Sequence, residues 1–220
     1  MLKRIHDINF VVEIKRKKIK NMYLRFNDNK IIVSAPTHVD LTTILNFIDL
    51  KAEWIYQQYL KNSQKVKAID LQAQTIYILG KKYQLNVYEH VSKSWILNDD
   101  ELNIYLRTFD EKKLLKYLDK ILASLLEIAI DPLIAKWNSV FNLRPTIKIK
   151  ALKSKWGMCY HQDNLIVLST YLAHNELKAI DAVILHEYVH FLVPNHSPNF
   201  YQIVYNYMRD YDHYKKILIK

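Results

Sequence analysis

Only two of the 220 residues are glycine, Gly80 and Gly157. A phosphate-cradling G-x-x-x-x-G-K-[ST] loop and the G-x-G-x-x-G turn of a dinucleotide fold both need closely spaced glycines, so that backbone N–H groups can approach an anion. Neither can be built here, which excludes NTP-driven and nicotinamide chemistry by those routes. The one cysteine, Cys159, excludes an intramolecular disulfide and a cysteine-rich zinc module. It fits a reducing compartment.

The length suits one large domain or two small ones with a real core. The N-terminal Met1-Leu2-Lys3-Arg4-Ile5-His6-Asp7 has positive charge but no apolar stretch behind it, so no signal peptide is expected. Apolar runs such as Ile121 to Ile130 are too short for a bilayer span. The expectation is a soluble, cytoplasmic protein with no membrane partner. Its net charge of +10 suggests attraction to nucleic acid or another polyanion. A composition rich in Lys, Asn, Ile and Tyr would produce the same charge without any such partner.

The pattern of apolar residues predicts an α+β chain, with a strand-rich N-terminal half followed by a mostly helical domain. Phe10 to Ile14, Met22 to Phe26 and Lys30 to Ser34 read as strands, with a turn at Asn27-Asp28-Asn29. Asp40 offers an N-cap to a helix carrying Leu41, Ile44, Leu45, Ile48, Ile55 and Tyr59. Residues 61–74 read as a linker. Two hairpins are expected, around Gly80-Lys81 and around Asn98-Asp99-Asp100. From Asp110 a long amphipathic helix begins, which Pro132 should kink or restart. Strands at Ile147 to Ile149 and Leu165 to Leu168, and helices at Asn175 to Leu192 and Pro198 to Tyr211, complete the chain. The expected division is a strand-rich subdomain over 1–108 and a catalytic domain over 109–220.

The segment His186-Glu187-Tyr188-Val189-His190 carries the chemistry. Leu177, Ile180, Ile184, Tyr188 and Phe191 place it on a helix. Two histidines four apart then lie one turn above each other on one face. Two imidazoles at that spacing can hold one Zn²⁺. Glu187 points about 100° round the helix, away from the ligand face and towards a water on the metal. A catalytic zinc site needs a third protein ligand and an open position. His196, beyond the helix-ending Pro194-Asn195, is the candidate. The H-E-x-x-H-x-x-x-x-x-H spacing is that of metzincins, but Val193 stands where they place glycine.

Leu185 to Phe191 followed by Pro194-Asn195-His196-Ser197-Pro198-Asn199-Phe200 resembles the YgjP-like metallopeptidase family, related to SprT-like proteases. That family reads H-E-L-x-H, then N-H-S-x-x-F-W. Lys153-Ser154-Lys155-Trp156-Gly157-Met158-Cys159 resembles its R-W-G-S-C segment, and Leu79-Gly80-Lys81-Lys82-Tyr83 its L-G-x-x-Y element. Lys15 to Pro36 and Phe47 to Ile55 resemble its N-terminal half. Lys155, Met158 and Tyr201 stand where the family has Arg, Ser and Trp. The resemblance implies a zincin-type architecture and hydrolysis of protein or peptide substrates.

In such a centre Zn²⁺ activates water, with Glu187 as general base. Candidate substrate or oxyanion contacts are Lys155, Trp156, His161, Arg209 and Tyr211. The strand Leu165 to Leu168 could offer an edge to an extended peptide. Asp181 and Asp210 are candidate acceptors for the histidine N–H groups. Two other readings stay open. The same centre could hydrolyse a nucleotide phosphoanhydride, with the lysine excess binding the anion. The basic stretch Lys15-Arg16-Lys17-Lys18 with Lys20, Tyr23 and Arg25 could bind nucleic acid, either beside a structural metal or in a DNA-associated SprT-like protease.

Overall fold

The computed structural model describes residues 1–27, 30–63, 66–152 and 154–219. They form two compact units, Met1–Val66 and Lys67–Lys220. The division therefore falls well before the 108/109 boundary expected from sequence. The hairpin strands between these positions lack a core of their own. Ile76, Leu85, Leu102 and Ile104 are buried in the same apolar cluster as the C-terminal helices.

The first unit is a four-stranded sheet of order β1-β2-β4-β3, from β1 (Leu2–Ile5), β2 (Ile8–Lys17), β3 (Tyr23–Asn27) and β4 (Lys30–Pro36). β2 and β4 pair in parallel, and the other two pairs are antiparallel. The turn expected between β3 and β4 includes residues 28 and 29, outside the described residues. One face carries Phe10, Val12, Ile31, Val33 and Ala35, buried with Ile44, Ile48 and Ile55 of α1 (Leu41–Leu50) and α2 (Ala52–Ser63). Asp40 caps α1 by accepting from the Thr43 N–H at 2.8 Å. The single helix expected over 41–59 is two, broken at Lys51, and α2 runs three residues into the expected linker. Residues 64 and 65 of that linker lie outside the described residues.

The second unit opens with a five-stranded sheet, order β5-β6-β7-β9-β8, built from β5 (Ile69–Asp70), β6 (Thr75–Ile78), β7 (Lys81–Glu89), β8 (Ser94–Leu97) and β9 (Glu101–Leu106). Both expected hairpins are present, β6–β7 and β8–β9. α3 (Glu111–Phe141) is capped by Asp110, which accepts from Lys113 N–H at 2.8 Å, and passes through Pro132 without a restart. Ile128, whose carbonyl loses its helical donor to the proline, is 72% exposed, so water can replace the missing bond.

A three-stranded sheet follows, with β12 (Leu165–Ser169) between β10 (Thr146–Lys150), parallel to it, and β11 (Gly157–Tyr160), antiparallel. The chain ends in α4 (Leu177–Val189), α5 (Pro198–Tyr207) and α6 (Tyr211–Ile217), so the helix expected over 198–211 is also two. No helix among the described residues is long and apolar enough to cross a membrane.

Candidate metal centre

α4 is buried on nearly every side, through Ala179, Ile180, Val183, Ile184, Leu185, Tyr188 and Val189. Such a helix is held by packing rather than by one apolar stripe. Its entry is anchored by the β6–β7 hairpin. Leu79 and Gly80 both have positive φ, 49° and 83°, the two-residue turn that matches the twist of a hairpin. The tip donates Leu79 N–H to Ala173 O at 2.7 Å and Gly80 N–H to His174 O at 3.3 Å. His174 Nδ1 donates to Tyr77 O at 2.6 Å. A Cβ on Gly80 would stand 2.9 Å from the Cβ of Glu176, just before α4. Glycine is needed here for conformation and for close approach alike.

His186 occupies the last turn of α4 and His190 its C-cap. The chain then turns through Val193, whose N–H reaches back to Val189 O at 2.9 Å, and returns His196 to the same place. Nε2 of His186 lies 3.2 Å from Nε2 of His190 and 3.0 Å from Nε2 of His196. One ligand-type atom from each of the three lies within 4.8 Å of the others.

The outer nitrogens decide what this convergence means. His190 Nδ1 faces the carbonyl of Val193 at 3.3 Å. A carbonyl only accepts, so Nδ1 carries the proton and Nε2 turns a lone pair inward. His186 Nδ1 meets the hydroxyl of Tyr211 at 2.8 Å, which can accept in the same way. Inward lone pairs cannot hydrogen-bond each other. At about 2.0–2.1 Å per bond, ligands around a tetrahedral ion stand roughly 3.3 Å apart, near the 3.2 and 3.0 Å separations from His186, so the donor set suits a metal cation.

Phe200 explains how the rings are held. Its ring centroid lies 4.8, 4.7 and 5.0 Å from those of His186, His190 and His196, and the side chain is fully buried. Burial lowers the pKa of His186 to about 3, with His190, His196 and Lys215 adding to the effect. His190 is lowered chiefly by burial too. Both imidazoles are thereby kept neutral, the form that ligates metal.

Glu187 leaves the helix on the adjacent side and is 4% exposed. Burial raises its pKa to about 8, against a smaller opposing pull from Lys155. Its carboxylate packs on the backbone of β11. A Cβ built on Gly157 would sit 2.5 Å from Glu187 Oε1 and 2.8 Å from Cδ. The second of the two glycines thus seats the acidic residue of the H-E-x-x-H segment.

A cavity of about 780 Å³ opens over these groups. It brings His186, Glu187, His190 and His196 together with Lys155, Trp156, His161 and Tyr211, all singled out from sequence, but Arg209 is not among its lining residues. Lys153 lies outside the described residues. Lys215 also lines the cavity, a residue that sequence did not single out. Met158 and Cys159, on β11, line it as well, and burial pushes the Cys159 thiol up to about 12, which leaves it protonated and a poor nucleophile.

Three sequence expectations need correction. The strand at Leu165 to Leu168 has no free edge, because β10 and β11 pair on its two sides. The edge beside the cavity belongs to β11, which sequence reading missed; its glycine and its mixed neighbours hide the strand pattern. Asp181 is not a histidine partner, since it accepts from Lys136 Nζ at 2.7 Å and Trp137 Nε1 at 2.5 Å. Asp210 precedes α6 and likewise leaves the histidines to Tyr211 and Val193.

A family model described as YgjP-like, metallopeptidase domain, matches residues 20–220. The chain belongs to this family. No curated protein matches the chain. In this YgjP-like metallopeptidase domain the three converging imidazoles are the feature suited to a catalytic metal, and the family description makes the chain a hydrolase. The family's N-H-S-x-x-F segment acquires a physical meaning here, because the His presents an inward nitrogen and the Phe supports all three rings.

Proposed function

We propose that the protein is a zinc-dependent metallopeptidase in which His186, His190 and His196 hold the ion and Glu187 is the general base. The observation that carries this reading is the inward convergence of three Nε2 atoms beside a buried carboxylate, in one cavity. Zinc held there supplies Lewis acidity to an attacking water and to the scissile carbonyl.

The chain's own residues do the rest. Glu187 takes the water proton on the face left open by the histidines and passes it to the leaving amine. A divalent charge at the triad favours the ionised carboxylate, opposing the burial that otherwise keeps it protonated. Tyr211 and the Val193 carbonyl hold the ring orientations of His186 and His190. Lys155 and Lys215 supply positive charge, and His161 a ring N–H donor, where an oxyanion develops. The β11 edge, residues 157–160, offers unpaired backbone groups to an extended peptide.

The test is metal content by mass spectrometry, together with turnover of labelled unfolded protein. About one zinc per chain, lost in His196→Ala and retained in Glu187→Gln with turnover abolished, is expected. Absence of metal after zinc is offered at neutral pH would overturn the proposal. The cationic lining of the cavity favours a second reading, hydrolysis of a nucleotide phosphoanhydride. Turnover of nucleotides with none of unfolded protein would select it.

A further inference from the structure

We propose that the face of the N-terminal sheet opposite α1 and α2 binds single-stranded nucleic acid. Residues 1–66 hold twelve Lys and Arg against six Asp and Glu, a net +6 on less than a third of the chain. Helices α1 and α2 cover the face bearing Phe10, Val12, Ile31 and Val33. Alternation puts the residues between these on the opposite face. The pairing there aligns Lys15, Ser34 and Tyr23 in one row across three strands, with Glu13, Ile32 and Arg25 in the next. Lys17 follows Lys15 on β2.

Each row position has a use. Tyr23 is 56% exposed, an aromatic ring standing on an open sheet. Ser34, between Tyr23 and Lys15 in the row, carries only a small side chain. Lys17 and Arg25 have no acidic side chain within ion-pair distance among the described residues. Among the described residues Lys15 pairs with Glu13 alone, at 3.2 Å, and both are about half exposed, so a phosphate can compete for it at little cost.

Lysines alone would serve to keep a strand edge soluble. An exposed tyrosine among them does not serve that purpose. An aromatic platform flanked by cations is the combination that holds an unpaired strand, with bases stacking on the ring and phosphates on the ammonium and guanidinium groups. A duplex keeps its bases stacked inside and cannot use the ring.

The experiment is fluorescence anisotropy of a labelled oligodeoxythymidylate of about 20 nucleotides with the full chain, at salt from about 50 to 200 mM. Binding is expected to weaken steeply with salt. Tyr23→Ala should lose about tenfold in affinity with the salt slope unchanged. Lys15→Gln/Lys17→Gln/Arg25→Gln should lose more and flatten the slope by about 2, as three phosphate contacts disappear. All of these residues are exposed, and unchanged melting temperature and metal content would show that the variants fold. No binding at the lowest salt would overturn the proposal. So would binding indifferent to both variants, or equal competition by duplex DNA or by phosphatidylserine vesicles. The outcome is independent of the catalytic reading, because the reported residues lie outside the cavity.

Discussion

Gly157→Ala isolates the placement of the proposed general base from the metal. The added methyl would stand 2.5 Å from Glu187 Oε1, and ordinary contact begins at 3.4 Å, so the carboxylate must retreat by about 0.9 Å. The backbone at Gly157 is not in the left-handed region, so alanine is conformationally allowed and the clash is the whole perturbation. A misplacement of about 1 Å costs a positioned catalytic group about 100-fold. Complete loss of a general base costs about 10²–10⁴-fold. Turnover of labelled unfolded protein, normalised to bound metal, should therefore fall about 100-fold, with zinc stoichiometry unchanged. The double variant Gly157→Ala/Glu187→Gln should be no slower than Glu187→Gln alone, because both changes remove one function. Full activity in Gly157→Ala, or a fall that merely tracks metal loss, would refute the assignment of the glycine as the seat of Glu187.

Tyr211→Phe removes the hydroxyl on His186 Nδ1 and should weaken zinc binding about 10- to 100-fold in a chelator competition, with the melting temperature of the metal-free protein little changed; unaltered affinity would exclude the positioning role. Phe200→Ala should destabilise the fold by about 3–5 kcal/mol in urea titration and also weaken zinc binding, as the three imidazoles lose their common support; a loss of stability without a loss of metal affinity would separate the two. His174 is buried and its pKa lies below the usual 6.5, chiefly through burial, so the unfolded chain takes up a proton that the folded chain refuses. Its contribution to stability is fully present above about pH 6.5 and is lost as pH falls from there through the lower folded value. Melting temperature should accordingly drop more steeply between pH 7.5 and 5 in the wild type than in His174→Gln, and parallel curves would exclude the buried imidazole as a source of acid sensitivity.

Much of the site is legible in the chain because it is local. Four-residue spacing puts His186 and His190 on one face of any helix, and the helix-ending Pro194-Asn195 leaves room for His196 to return within a few residues. Asp40 and Asp110 mark helix starts by chemistry confined to one turn. The turn at Leu79-Gly80 is equally local. Errors concentrate where periodicity is weak or a competing interaction wins. The apolar spacing over 41–59 continues across Lys51, so nothing in it announces two helices. β11 has no alternation to show and is held as a strand by β12. Pro132 is accommodated inside α3, where Ile128, four residues earlier, is exposed.

The amino-acid sequence by itself determined the helix with its two imidazoles and acidic neighbour, the third histidine and the surplus of positive charge. Only the tertiary structure decided that Tyr211 rather than an aspartate meets His186, that Gly157 receives the Glu187 carboxylate, that Phe200 supports all three rings, and that the open edge beside the cavity is β11. Helical spacing is a property of the backbone within a turn or two. Contacts between elements depend on how whole layers pack, and a linear pattern of residues carries no direct record of that.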